Sequence, residues 1–486
     1  MRFLPLFALV STLLYAAALI PQNPAQNQQP APLAQPPASP TPTPIVLPSP
    51  TVKIEPYRTS AGRIIGAALT KNRAWERLAY LTDSIGNRLS GSRNLERAIF
   101  WAVSEMKSDG LDNVRAEKVM VPNWVRGAES LEIMPSGQKL AILGLGNSVG
   151  TPVEGVTADI VVVRSFAELD ALGEKARGKI VVYNAPFTNY GATVQYRGQG
   201  ASRAARYGAV AALVRSITPV SLQTPHTGAM NYDPAQPKIP TAAITIEAAE
   251  MFQRLYDRGE PVGVRLKMEA KFLPDAESAN VIAELKGSEK PDEIVVIGGH
   301  FDSWDVGQGA HDDGGSCMAA WEAIRLLKEL GLRPRRTIRV VLFTNEENGL
   351  RGGNAYRDAH RAELAKHIMA IESDSGIYRP EGFGLAATAP PLVRANMLEI
   401  AKLLAGIEAD RIAANGGGAD IGPMMREGVL GASLDVEGSR YFEIHHTQAD
   451  TLDKINPRDL ALCVATMAVM AYTIADLPEP LSGGAN

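Results

Sequence analysis

Four short segments of this 486-residue chain carry the side chains best suited to chemistry. GGHFDSWDVGQGAHDDGG (298–315) offers His300, Asp302, Asp312 and Asp313 in a Gly-rich stretch. FTNEENGLRGG (343–353) sets Glu346 beside Glu347, IESDSG (371–376) supplies Asp374, and HHTQADT (445–451) supplies His445 and His446. Neutral imidazoles and carboxylates suit zinc better than manganese or cobalt, although such sites accept other divalent ions. Asp302, two residues past His300, is placed to receive the other ring N–H and fix the tautomer. Two adjacent acids at a strand end point in different directions, so one can hold a metal while the other faces the water to be deprotonated. Each piece alone is weak, since Asp-Asp-Gly-Gly is usually a turn and a Glu pair usually a solvated face. Their convergence makes the case.

The elements around them support that convergence. Glu293–Gly298, Thr337–Phe343 and Ile368–Ile371 are short apolar runs of strand type, and Ser316–Leu330 between the first two has helical spacing with Gly331 as its stop. Strands alternating with helices predict an α/β sandwich with a largely parallel sheet, whose functional loops lie at the carboxyl ends of the strands. Upstream, Ser92 caps a helix carrying Ile99, Val103 and Met106 on one face, stopped by Gly110. Between about 121 and 273 the texture changes to brief β-type runs (160–163, 179–183, 209–214) around a helix-like stretch at 200–208, which predicts an inserted, mostly β domain.

Composition sets the outer bounds. Hydrophobic residues make up 45% and charged residues 21%, as in a well-filled globular enzyme, and a net charge of -4 gives no reason to expect a nucleic-acid partner. Residues 1–20 read as an export signal, with an uncleaved anchor as the alternative, so the chain is expected to be secreted or periplasmic. Residues 21–51 read as a Pro-rich spacer. Cys317 and Cys463, in apolar segments, read as small buried hydrophobes.

Taken together, the four segments resemble the di-zinc aminopeptidase/carboxypeptidase family of metallopeptidases. Two further stretches, YGATVQYRGQGASRAARYGAVAALVRS (190–216) and TPHTGAMNYDPAQPKIPTAAITIEAAEM (224–251), are similar to one branch of it. The resemblance implies a three-layer sandwich with a mixed, largely parallel sheet, formed by a catalytic domain at 52–120 and 274–480. It implies a protease-associated domain at 121–273. It further implies two zinc ions per chain bridged by Asp312, one also held by Glu347 and His446 and the other by His300 and Asp374, with a cis Asp312–Asp313 peptide and Glu346 as general base. A homodimer is implied as well. Many relatives place a tyrosine where this chain has His445, so His445 is expected to donate to the oxyanion. His226 and Arg440 are further candidates, Arg440 for a substrate carboxylate, while His311, His360 and His367 read as loop, surface or helix residues. The implied activity is hydrolysis of dipeptides or short peptides. A broad-specificity aminopeptidase is the alternative, and an inactive receptor-like binding module a third reading, which would be expected to lack one or more of the metal residues present here.

Overall fold

The computed structural model describes residues 47–483. The expected export signal, and the spacer as far as residue 46, lie outside the described residues. Thr51, at the end of that spacer, is tied to the fold, its N–H donating to Asn396 Oδ1 at 2.8 Å.

Local signals act as their chemistry requires. Ser92 Oγ accepts from the Leu95 N–H at 3.2 Å and caps the helix Arg93–Ser108, which buries Leu95, Ala98, Ile99, Ala102 and Met106. Removing such a cap costs about 1 kcal/mol. Gly110, with φ 71°, turns the chain out of the helix at little conformational cost.

The runs Ile294–Ile297 and Val340–Phe343 have no polar face and are buried throughout, as strands covered on both sides must be. They belong to an eight-stranded sheet whose order, by first residue, is Asp112, Lys271, Arg336, Lys290, His367, Gly431, Pro380, Arg411. Lys290–His300 runs parallel to both Arg336–Phe343 and His367–Glu372, and antiparallel ladders flank this centre, so the sheet is mixed. Helices Gly315–Glu329 and Pro457–Asp476 pack in the core on one face, and Arg351–Ala359 and Gly422–Arg426 on the other. Trp321 is fully buried in the first of these cores, with the Arg77 guanidinium 4.2 Å from its ring centroid. Truncating a buried tryptophan costs about 3–5 kcal/mol. Cys317 and Cys463 are free and buried.

The chain leaves this sheet at Val125 and re-enters at Lys271, two residues paired directly across an antiparallel ladder. Between them a second eight-stranded sheet forms in the order Gln138, Glu129, Gly263, Val156, Ile180, Ala211, Thr241, Ile142. Helices Phe166–Leu172, Gln195–Ala205 and Ile246–Asp257 accompany it, so the mostly β expectation is corrected to mixed α/β. Gly198 and Gly200 weaken the local helical signal of Gln195–Ala205. Packing supplies what propensity lacks: a Cβ on Gly200 would lie 2.8 Å from the Tyr183 ring.

Candidate metal centre

The carboxyl ends of neighbouring parallel strands deliver the acidic and imidazole side chains to one rim. Lys290–His300 ends in His300, Arg336–Phe343 runs on into Glu346 and Glu347, and His367–Glu372 is followed by Asp374. Gly299 lets this rim close. A Cβ there would sit 2.1 Å from Asp313 Oδ2, the oxygen that accepts the His300 N–H at 3.0 Å. The buried Arg88 guanidinium donates to the carbonyls of Gly86, Phe301, Gln308 and Gly309 and so pins the loop after His300. Asp450 accepts from the backbone N–H of His311 and of Asp312, at 2.7 and 3.1 Å, holding the segment that presents Asp312. The Asp312–Asp313 peptide is cis.

Asp312 lies between two imidazoles. Its Oδ1 is 3.1 Å from His300 Nε2, which is also 3.5 Å from Asp374 Oδ1. Its Oδ2 is 3.2 Å from His446 Nε2, which is also 3.1 Å from Glu347 Oε2. Backbone carbonyls set both ring tautomers. His300 Nδ1 lies 3.0 Å from the Asp302 carbonyl, and His446 Nδ1 lies 3.3 Å from that of Thr227 and 3.4 Å from the Arg197 guanidinium, so a neutral ring that donates from Nδ1 to its carbonyl turns its Nε2 lone pair inward. Lone pairs of two rings and three carboxylates therefore face one another, and Asp312 Oδ2 is buried without a hydrogen-bond donor. Only a second proton on each ring or a cation relieves this. Burial opposes protonating His300, yet Asp312 and Asp374 outweigh it and hold its pKa well above the ordinary value; Glu347 and Asp312 do the same for His446. A divalent ion answers the same demand more completely, and the donor set fits zinc. Among the described residues, His300, Asp312 and Asp374 form one group able to hold an ion, and Asp312, His445 and His446 another.

Asp302 sits differently from expectation. Its carboxylate is 3.9 Å from His300 Nδ1, because its two oxygens are already taken by the N–H groups of Glu346 (3.0 Å) and Glu347 (3.3 Å). The residue thus orients His300 with its carbonyl and the Glu pair with its carboxylate. Asn345, at φ 65°, makes the turn into that pair. His445 stacks on His446 at 3.5 Å between centroids, with Nε2 3.5 Å from Asp312 Oδ2. Burial and the neighbouring His446 push its pKa well below the ordinary value, so its ring is neutral.

Glu346, Glu347, Asp312, Asp374, His445 and His446 all line a cavity of about 630 Å³, a size suited to a small ligand. Burial, reinforced by Asp374 and Glu347 against the opposing His300, raises the Glu346 pKa well above the usual carboxylate range. Neither His226 nor Arg440 lines it. His226 is buried against Ser216, and Arg440 is exposed and paired with Glu443 at 3.0 Å. Residues missed in the sequence are Arg88, Asp450, Thr227 and Arg197. The last two come from the second sheet's part of the chain and reach His446 across some 220–250 residues. Both lie in the stretches 190–216 and 224–251 that resemble one branch of the family, which is the signal in the sequence that points to them.

Residues 280–471 match the model of peptidase family M28. The chain is 48% identical over 433 residues to carboxypeptidase Q of Xenopus laevis, covering 88% of this chain and 92% of that one. A solved peptidase M28 precursor from Shewanella amazonensis superposes with a TM-score of 0.83 at 36% identity, covering 88% of this chain and 98% of that one. A zinc aminopeptidase from Bacillus subtilis shares the fold, with a TM-score of 0.63 at 21% identity over 82% of this chain and 94% of that one.

Proposed function

This chain belongs to peptidase family M28, and we propose that it is an exported two-zinc exopeptidase that hydrolyses dipeptides or short peptides. The observation that carries this reading is Asp312, whose two oxygens each meet the Nε2 of a different histidine inside a cavity lined by further carboxylates. His300 and Asp374 would hold one zinc, Glu347 and His446 the other, and Asp312 both. When bound, the zinc pair polarises the scissile carbonyl and acidifies water.

The chain's own groups supply the rest. Glu346, lining the cavity beside Glu347, takes a proton from the attacking water and passes it to the leaving amine. Asp302 holds the backbone of Glu346 and Glu347 in register for those separate tasks. His445, neutral and at the cavity wall, donates to the oxygen on which negative charge develops. No covalent intermediate is required.

The same proposal includes a protease-associated domain at 121–273, a catalytic domain at 52–120 and 274–480, an export signal at 1–20 and a homodimer. The expected outcome is two zinc ions per chain by elemental analysis and chelator-sensitive cleavage of unblocked dipeptides, lost in Glu346→Gln with the zinc retained. A well-folded, metal-free and inert protein would sink the reading. Cleavage of long peptides as readily as dipeptides would favour the broad aminopeptidase alternative.

A further inference from the structure

We propose that Asn348 reads the side chain of one residue flanking the scissile bond, so that the enzyme favours peptides carrying an uncharged polar group there, a carboxamide or a hydroxyl. This rests on the peptidase reading above and names the substrate class its cavity prefers.

A chain of hydrogen bonds fixes which end of each amide faces which neighbour. The Arg351 N–H can only donate, and Asn345 Oδ1 accepts it at 3.2 Å. Asn345 therefore turns its Nδ2 the other way, where it donates to Ser90 Oγ at 3.0 Å and to Asn348 Oδ1 at 2.6 Å. Ser90 in turn donates to Asp302 Oδ2 at 3.3 Å, which anchors the chain on the carboxylate that holds Glu346 and Glu347. Gly349 makes room for it, since a Cβ there would fall 2.2 Å from Asn345 Oδ1. Asn348, at the end of the chain, is 5% exposed; its oxygen is spent and its Nδ2 is buried with no partner. A buried donor left unpaired is costly, and the deficit is removed when a ligand oxygen reaches it.

Asn348 stands where two cavities meet. The one lined by Glu346, Glu347 and His446 shares Asn147, Asn231, Asn348 and Gly349 with a second of about 440 Å³. Past that shared rim the second cavity is walled by Met230, Tyr232, Phe272 and Arg351, and no Asp or Glu among the described residues lines it. A side chain that points from the reacting centre into this annex crosses the three asparagines. Asn147 donates from Nδ2 to the Met230 carbonyl at 3.4 Å and so offers its oxygen, which gives the junction an acceptor beside the Asn348 donor. The two cations of the annex are engaged: Arg351 pairs with Asp275 at 2.5 Å, and Lys238 lies over the Tyr232 ring, 5.7 Å from its centroid. A carboxamide or a hydroxyl answers both donor and acceptor, whereas an alkyl group answers neither and leaves the Asn348 N–H unpaired.

The test uses the zinc-loaded full chain and unblocked dipeptides of alanine in which asparagine and leucine, nearly equal in shape, exchange in the first or the second position. The wild type is expected to favour asparagine in one of the two positions by roughly tenfold to a hundredfold in kcat/KM, the scale of one buried donor left unpaired. Asn348→Ala is expected to bring that ratio close to one by losing on the asparagine peptide, with zinc content unchanged. Calorimetric binding of the same peptides to Glu346→Gln reads the preference in the absence of turnover. Equal binding of asparagine and leucine peptides in both positions overturns the assignment and needs no variant at 348 to fold. So does an Asn348→Ala protein that loses equally on both peptides, since that marks a residue serving only to hold the turn after Glu347. Aspartate preferred over asparagine in the same position also overturns it and passes the choice to Lys238. A wild type that binds the asparagine peptide selectively but cleaves neither would overturn the peptidase reading and leave this one standing.

Discussion

Two buried groups of histidines and carboxylates flank the main sheet, and they differ in how their hydrogen bonds balance. In one, His360 faces Glu117 at 3.0 Å and Glu363 on its other nitrogen. There Arg339 donates to Glu284, Glu363 and the Tyr356 hydroxyl, and Tyr356 meets His367 Nε2 at 2.9 Å. Every acid finds a donor, and burial keeps His367 neutral with its pKa lowered to about 4. In the other, around Asp312, the acids outnumber the donors and the ring nitrogens turn lone pairs inward. Residue types are nearly the same. The candidate metal centre is set apart by acids that no arginine among the described residues pairs with, not by the count of histidines and acids.

The most severe way to break the contrast is His300→Ala, which should lower zinc content and reduce turnover to background, while His360→Ala leaves both as they were. Zinc lost equally from the two variants would erase the distinction. Next, Glu346→Gln should cost roughly 10²–10⁴ in kcat with zinc content unchanged, as removal of a general base does; a kcat within a few-fold of wild type would assign the proton transfer elsewhere. Asp302→Asn weakens the acceptor that holds the Glu pair and should lose about 10–100-fold in metal affinity or activity, the scale of groups supporting metal ligands. Retention of both would make the Glu346 and Glu347 contacts incidental. Smallest is His360→Ala, expected to lower unfolding free energy by about 1–3 kcal/mol in chemical denaturation while kcat/KM stays at the wild-type value.

Much of this contrast is hidden in the sequence. His360 and His367 read there as surface or helix residues, because neither lies in a motif and their partners Glu117 and Arg339 are remote in the chain; in the fold both are buried, and His367 opens a strand. The positions of His300, Glu346, Glu347 and Asp374 at strand ends are legible, since they follow apolar runs whose ends are marked by Gly, Asn and Ser, whereas the choice of Asp312 over Asp313 rests on the family resemblance alone. The role of Asp302 is legible only in part. Spacing places it beside His300, but whether its carbonyl or its carboxylate turns toward the ring depends on competition from the Glu346 and Glu347 amides, which only the folded chain brings near. Arg197 and Thr227 are harder still, because their importance lies in what they touch across the two sheets.

The contact between the Thr227 carbonyl and His446 has a thermodynamic corollary. Thr227 lies between Val125 and Lys271, in the part of the chain that builds the second sheet, while His446 follows the last strand of the first. On the proposed two-zinc reading, a cation that needs His446 correctly turned would bind more tightly when the two sheets are seated against each other, and by reciprocity would hold them together. Loading the ion and docking the sheets are then one coupled equilibrium, and a fault in either is felt in the other.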